Sequence, residues 1–221
     1  MTRGAIDRLL VVMAKAPRAG HVKTRLLSVF AGDAVVGLYR CLLEDTLDLT
    51  ASIAGARVAV MCPAGDRAEL AAWLGAGLDI VEQPGAGLAD ALEATLALAA
   101  STPARAVIAF NVDSPHLSPS VLESAFTGLS DHDLVVGPTD DGGYYLVGAR
   151  RAHPGLFEPS PLGTTRALDA LLAGAAARRL SVTLTDTWYD VDVAADVERL
   201  AREASPTAPR TRAYLAAWRR P

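Results

Sequence analysis

Leu9-Leu10-Val11-Val12-Met13-Ala14-Lys15-Ala16-Pro17-Arg18-Ala19-Gly20-His21-Val22-Lys23-Thr24-Arg25-Leu26 is the segment around which the chain is organised. Its first four residues are an apolar run of strand length, and a long helical pattern follows the whole stretch. A strand, then a Gly-containing basic loop, then a helix is the geometry in which backbone N–H groups and a helix N-terminus face an anion. Composition singles out the same loop. Of the 21 Lys and Arg residues, Lys15 and Lys23 are the only lysines. An ammonium is a compact, strongly hydrated point charge and does not substitute for a planar guanidinium. Two of them in one loop suit point-charge contact with phosphate oxygens. The plainer alternative is a solvated basic turn after a first strand.

Outward from this loop, strand and helix patterns alternate. Apolar residues at helical spacing (Val35, Leu38, Leu42, Leu43, Leu47) predict a helix over 33–53. Residues 57–62 read as a strand stopped by Pro63-Ala64-Gly65, and 66–74 as a short helix with Asp66 as its N-cap. A short strand over 78–83 ends at Pro84-Gly85-Ala86-Gly87, and a helix follows over 88–100. The run 106–110 is the most buried-looking strand and leads into Asn111-Val112-Asp113-Ser114-Pro115. Ser118 then Pro119 is an N-cap followed by a proline at the first helical position, predicting a helix to about residue 129. Four strand–helix alternations argue a three-layer α/β/α sandwich with a mostly parallel sheet.

The pattern then changes. Runs 133–138 and 143–148, separated by Thr139-Asp140-Asp141-Gly142, predict two antiparallel strands joined by a tight turn, which makes the sheet mixed. An irregular Pro/Gly stretch over 154–161 precedes a helix over 165–178, a strand-like run 180–184, and a second strand-like run 188–192. A helix starts near Ala194, with Asp192 as a candidate N-cap, and a last amphipathic segment covers 210–218. The segment 214–218 packs either on its own domain or on a partner copy, so a homodimer stays open. With no repeats and no long linker, 1–221 reads as one domain.

Bulk properties set limits. A net charge of −4 lacks the basic excess of a nucleic-acid-binding surface. No apolar segment approaches membrane-spanning length, and the N-terminus shows no secretion cleavage signal. Cys41 and Cys62 have no metal-motif spacing and read as reduced core residues, consistent with a cytoplasmic protein. The four histidines are scattered, which disfavours covalent Ser-His-Asp or Cys-His catalysis.

In an open parallel sheet, ligands bind beyond the C-terminal ends of the strands. Three polar groups fall there: the basic loop, Asn111-Val112-Asp113, and Asp190-Val191-Asp192. An acid at the end of a buried strand beside a lysine-bearing loop suggests Mg²⁺ or Mn²⁺ bridging phosphate oxygens. One or two protein carboxylates suffice for that, Asp113 with Asp192 or Asp190. The run Asp140-Asp141-Gly142-Gly143-Tyr144-Tyr145 carries more polar equipment than a hairpin needs, and Asp140, Asp141, Gly142, Gly143 and Tyr144 are candidate substrate-binding residues.

Taken together, the basic loop 15–26, Asp113-Ser114-Pro115, the segment 137–148 and Asp190-Val191-Asp192 resemble the DUF2064 family, in order and spacing, from about residue 9 to 200. Members are usually labelled GT-A-fold glycosyltransferases. The resemblance implies the nucleotide-diphospho-sugar transferase fold, which also contains nucleotidyltransferases such as the molybdopterin and phospholactate guanylyltransferases. It implies that the first loop holds a nucleotide, with Lys15, Lys23 and Arg25 as catalytic cations and Gly20 and Thr24 as binding residues. It also implies that Asp113 and Asp192 hold the metal. Gln83-Pro84-Gly85-Ala86-Gly87 is similar to the superfamily's base-binding turn, so Gln83 and Gly87 join the nucleotide-binding set. Glycosyltransferases of this fold commonly carry Asp-x-Asp, where this chain has Asn111-Val112-Asp113.

Three functions are weighed. In nucleotidyl transfer, a phosphorylated small-molecule acceptor attacks the α-phosphorus of an NTP and pyrophosphate leaves, with cations and metal stabilising the charge. In glycosyl transfer from a nucleotide sugar, an inverting mechanism needs a carboxylate base, Asp140 or Asp141. The third is a non-catalytic nucleotide sensor. The cationic loop and the incomplete Asp-x-Asp favour nucleotidyl transfer.

Overall fold

The computed structural model describes residues 8–102, 104–158 and 161–218. The N-terminal residues 1–7, and Pro159 and Ser160 of the irregular stretch, lie outside the described residues.

The first strand, β1 (Arg8–Met13), is followed by a 3-10 helix (Thr24–Ser28) and α1 (Gly32–Ala51). Then come β2 (Ala56–Cys62), α2 (Arg67–Leu74), β3 (Asp79–Glu82), α3 (Leu88–Ser101), β4 (Ala106–Phe110) and α4 (Pro119–Gly128). The second half contains β5 (Leu134–Pro138), β6 (Tyr144–Ala149), α5 (Ala167–Ala177), β7 (Val182–Leu184), α6 (Ala194–Arg202) and α7 (Pro209–Ala217).

One seven-stranded sheet runs in the order β3-β2-β1-β4-β6-β5-β7. All its pairings are parallel except those of β6, which is antiparallel to both β4 and β5. The expected mixed, mostly parallel α/β sandwich is the fold. The chain leaves β1 toward β2 on one side and returns to β4 on the other, so the crevice between the C-terminal ends of β1 and β4 is the topological switch point.

The near-continuous apolar run of β1 follows from burial on both faces. Leu10 and Val12 pack on the side of α1 and α4, while Leu9 and Val11 face α3. Along α1, Val35, Leu38, Leu42, Leu43 and Leu49 form the buried stripe expected of its helical spacing. The 214–218 segment packs on its own domain. Asp45, buried in α1, accepts hydrogen bonds from the Thr211 N–H at 2.7 Å and the Thr211 hydroxyl at 2.7 Å, holding the start of α7. The Tyr214 ring lies against Gly37, where any side chain would collide with it.

Three local expectations are corrected. The side chains of Asp66 and Ser118 make no capping hydrogen bond, although the helices they precede start as expected. Ser118 pairs instead with the Ser120 hydroxyl. The run 188–192 is not a strand. Trp188 exchanges backbone hydrogen bonds with Pro138 and Asp140, and the Val191 N–H then donates to the Asp113 carbonyl at 2.8 Å. This segment therefore crosses over the strand ends rather than lying alongside them. No helix among the described residues is long and apolar enough to cross a membrane.

His116, in the loop after β4, is buried against Trp188 and Tyr189, and neither ring nitrogen has a hydrogen-bond partner among the described residues. Burial, with Arg212 and Arg199 adding to it, drives its pKa down from 6.5 to about 3. The unfolded chain takes up this proton below about pH 6.5 and the folded chain does not, so stability falls with pH across that window. His116→Phe is expected to remove about 2–3 kcal/mol of the stability lost between pH 7 and pH 4.5, read as urea midpoints at the two pH values. An unchanged pH dependence would show that His116 titrates normally.

Candidate functional site

The basic loop is held from three sides. Its entry extends β1 by one hydrogen bond, from the Ala14 N–H to the Met61 carbonyl at 2.9 Å. The Tyr39 hydroxyl of α1 then accepts from the Lys15 N–H at 2.8 Å and donates to the Lys15 carbonyl at 3.1 Å. On the α2 side, Asp66 accepts from the Ala16 N–H at 2.8 Å and from Arg18 at 2.7 Å, and Arg18 also reaches Glu69 at 2.7 Å. Sequence reading missed Asp66 as a loop anchor. The available signal is that Asp66 and Glu69 lie three apart, on one helical face, and complement Arg18.

At the far end of the loop, Val22 and Leu26 are buried and Lys23 between them adopts a left-handed conformation, φ 46° and ψ 42°. That conformation is uncommon for a residue with a side chain. It opens the 3-10 helix Thr24–Ser28. The Lys23 side chain is 4% exposed, and its ammonium contacts both Asp113 Oδ1 and Asp192 Oδ1, the latter at 2.6 Å. The two carboxylates are more open, 30% and 37% exposed. Arg25 reaches the other Asp192 oxygen at 3.7 Å.

Electrostatics follow from this packing. Burial opposes the Lys23 charge, but Asp113 and Asp192 outweigh it and hold its pKa above the ordinary lysine value. Burial drives the Asp113 pKa up despite the opposing Lys23. Asp192 is also partly desolvated, yet Lys23 and Arg25 bring its pKa below the usual carboxylate value. Asp190 does not line the cleft that holds Asp113 and Asp192. It accepts from the Asn111 amide at 2.8 Å and the Ser114 hydroxyl at 2.6 Å. Burial and the neighbouring Asp113 raise its pKa to about 7, against those hydrogen bonds.

These groups line a cleft of about 320 Å³ over the ends of β1 and β4, walled by Lys15, His21, Lys23, Arg25, Asp113 and Asp192, with Thr24 and Tyr39 also at its surface. Asp192 faces the cleft and does not cap α6; Asp196 does that, accepting from the Asp192 and Val193 N–H groups at 3.0 and 2.8 Å. Gly20 belongs to the loop, at φ 77°, but its position meets open space.

The remaining sequence candidates lie elsewhere. Gln83 and Gly87 close the turn after β3, the Gln83 amide donating to the Gly87 carbonyl at 3.4 Å. Asp140 pairs with Arg199 at 2.9 Å. Asp141 accepts from the Thr139 hydroxyl at 2.6 Å and the Gly143 N–H at 3.0 Å, which closes the β5–β6 turn. Gly142, at φ 88°, is required there, because a Cβ would lie 2.2 Å from the Thr165 carbonyl oxygen. Tyr144 is different. Its buried hydroxyl has no hydrogen-bond partner among the described residues. It walls a smaller cavity of about 80 Å³ with Leu88, Leu92 and Asn111, and Met13 borders both this cavity and the cleft.

The Asp66 anchor is testable. Asp66→Ala is expected to cost about 1–3 kcal/mol in urea unfolding, because it strands the buried Ala16 N–H. Glu69→Ala breaks only the solvent-screened arm of Arg18 and should cost clearly less than Asp66→Ala. Equal costs would mean that Asp66 contributes nothing beyond a surface ion pair.

Comparison with known proteins places the geometry in context. A candidate nucleotide-diphospho-sugar transferase from Desulfovibrio desulfuricans G20 superposes with a TM-score of 0.88 at 28% identity, covering 95% of this chain and 94% of that one. The inositol-1-phosphate CTP transferase from T. maritima shares the fold at 16% identity, TM-score 0.57, over 97% and 98% of the two chains. So does Rv0371c from Mycobacterium tuberculosis H37Rv in complex with manganese, at 21% identity, TM-score 0.52, over 88% and 97%. No curated protein matches the chain. Residues 46–164 match the family described as "Uncharacterized protein conserved in bacteria (DUF2064)". With more than half its length matched, and with the fold of the nucleotide-diphospho-sugar transferases, this chain belongs to the DUF2064 family.

Proposed function

We propose that this chain, acting as a single catalytic unit, is a metal-dependent nucleotidyltransferase that joins an NTP to a small phosphorylated acceptor and releases pyrophosphate. The observation that carries the reading is the convergence of Lys15, Lys23 and Arg25 with Asp113 and Asp192 on one cleft at the topological switch point. Cations for phosphate oxygens and carboxylates for a metal are thereby interleaved in one cleft, which supports a metal–phosphate site.

The residues fit a divalent metal. Asp113 and Asp192 already converge on one cation, the Lys23 ammonium, and both remain partly open to the cleft. The described residues contain no preformed group of three or more His, Cys, Asp or Glu ligands. Magnesium does not need one, since two carboxylates plus phosphate oxygens and water complete its shell. Bound there, Mg²⁺ or Mn²⁺ would supply charge neutralisation to the phosphate oxygens.

Lys15 and Arg25 would orient the triphosphate, and Thr24 lines the same cleft. The acceptor phosphate oxygen forms a bond to the α-phosphorus while the bond from that phosphorus to the departing pyrophosphate oxygen breaks. Lys23 would then neutralise the charge that builds on the leaving group. A phosphate nucleophile is already an anion, so no protein base is needed. The Tyr144 hydroxyl, with Asn111 across the adjoining cavity, is a candidate contact for the base or the acceptor.

Glycosyl transfer is the second reading, supported by the description of the Desulfovibrio relative. Against it stands the turn at 140–143, where Asp140 and Asp141 are engaged with Arg199, Thr139 and Gly143. Neither lines the cleft as a base would.

The test is a thermal-shift panel of NTPs and nucleotide sugars, each with and without Mg²⁺ or Mn²⁺. A ligand at a hundred times its Kd should stabilise by about 2.7 kcal/mol, or about 5–10 °C in Tm. A metal-dependent shift with one NTP is expected. A shift confined to a nucleotide sugar would favour glycosyl transfer, and no shift at all would remove both enzymatic readings. Asp113→Asn should abolish the metal-dependent shift while leaving the far-UV CD spectrum unchanged. Arg25→Ala should weaken NTP binding about three- to tenfold at low salt and less at high salt, because this side chain is exposed and its interaction is screened.

A further inference from the structure

We propose that the Lys23 ammonium occupies the metal's place in the free protein, so that metal binding is conditional on a phosphate-bearing ligand that draws Lys23 away. This rests on the metal reading above and adds an order to it. The ammonium bridges one oxygen of Asp113 and one of Asp192, the two carboxylates assigned to the metal, and is far more buried than either. The Lys23 backbone is left-handed, and the segment that carries it is anchored by the buried Val22 and Leu26.

A dication entering alone would meet a buried ammonium already paired with its ligands. Displacing that ammonium would leave it unpartnered in a desolvated site beside a doubly charged ion. A phosphate in the cleft changes the balance. Lys15 makes no ion pair among the described residues and is free to attract the anion, and the anion then gives Lys23 a new partner. The carboxylates are released to the metal in the same event. Metal and phosphate thus bind with positive coupling, and by linkage each raises the affinity of the other by the same factor.

The experiment measures Mn²⁺ binding to the full chain from the EPR signal of free Mn²⁺, with and without inorganic phosphate. Wild type is expected to bind Mn²⁺ weakly alone and about tenfold or more tightly with phosphate. Lys23→Met should bind Mn²⁺ alone about tenfold more tightly than wild type and gain little from phosphate. Arg25→Met removes the same charge from the same cleft; it should tighten Mn²⁺ less than about threefold and keep the phosphate effect, separating competition from simple charge balance. Equal Mn²⁺ affinity in wild type and Lys23→Met overturns the inference while leaving the metal site standing. If Lys23→Met fails to fold, judged by far-UV CD, the wild-type phosphate arm decides, and an affinity that phosphate does not change overturns the inference. Mn²⁺ bound by no variant under any condition overturns the metal assignment and this inference with it.

Discussion

A buried ammonium between two carboxylates is the constraint on which this architecture depends. Lys23, Asp113 and Asp192 come from the loop after β1, the end of β4 and the crossing before α6, and the three side chains meet at one point. An unpaired charge in such a place would be costly, and one carboxylate alone would leave the geometry loose. Around that ammonium stand two carboxylates, with Arg25 reaching the second of them and Lys15 elsewhere in the same cleft, so opposite charges are closely interleaved there.

The rest of the fold brings these elements into register. β1 and β4 are parallel neighbours, so their C-terminal ends, and the loops leaving them, lie side by side. The segment 188–192 contributes by failing to be a strand. Tied to β5 by Trp188 and to Asp113 by the Val191 N–H, it lies across the strand ends and brings Asp192 to the crevice. The opposite wall is fixed by Tyr39 and Asp66, which satisfy the first backbone donors of the basic loop. A loop so anchored presents its cations without having to order them when a ligand arrives, a saving that favours tight and well-oriented binding.

Much of this was legible in the sequence, for identifiable reasons. The buried strands read as apolar runs because both sheet faces are covered. The β5–β6 hairpin was marked by its Asp/Gly-rich turn, and the loop cations by a pair of lysines in a chain that otherwise uses arginine. The polar turn at 140–143 carries a structural role that composition did not reveal. Asp141 closes the turn, Asp140 pairs with Arg199, and Gly142 is pressed against the Thr165 carbonyl. Local hydrogen bonding competes for the same Asp and Gly residues that ligand binding would use.

Hydrophobic period and turn chemistry act over a few residues, so the alternation of elements, the mixed sheet and the position of the basic loop can be read from the chain alone. What the acidic residues do is set by contacts made in three dimensions. Asp66 reads as a helix cap and proves to be a loop anchor; Asp192 reads as a metal ligand or a cap and proves to be a partner of Lys23. A carboxylate's role depends on which donors reach it first in space. Here those donors lie 50 and 169 residues away along the chain, a separation that no local pattern encodes.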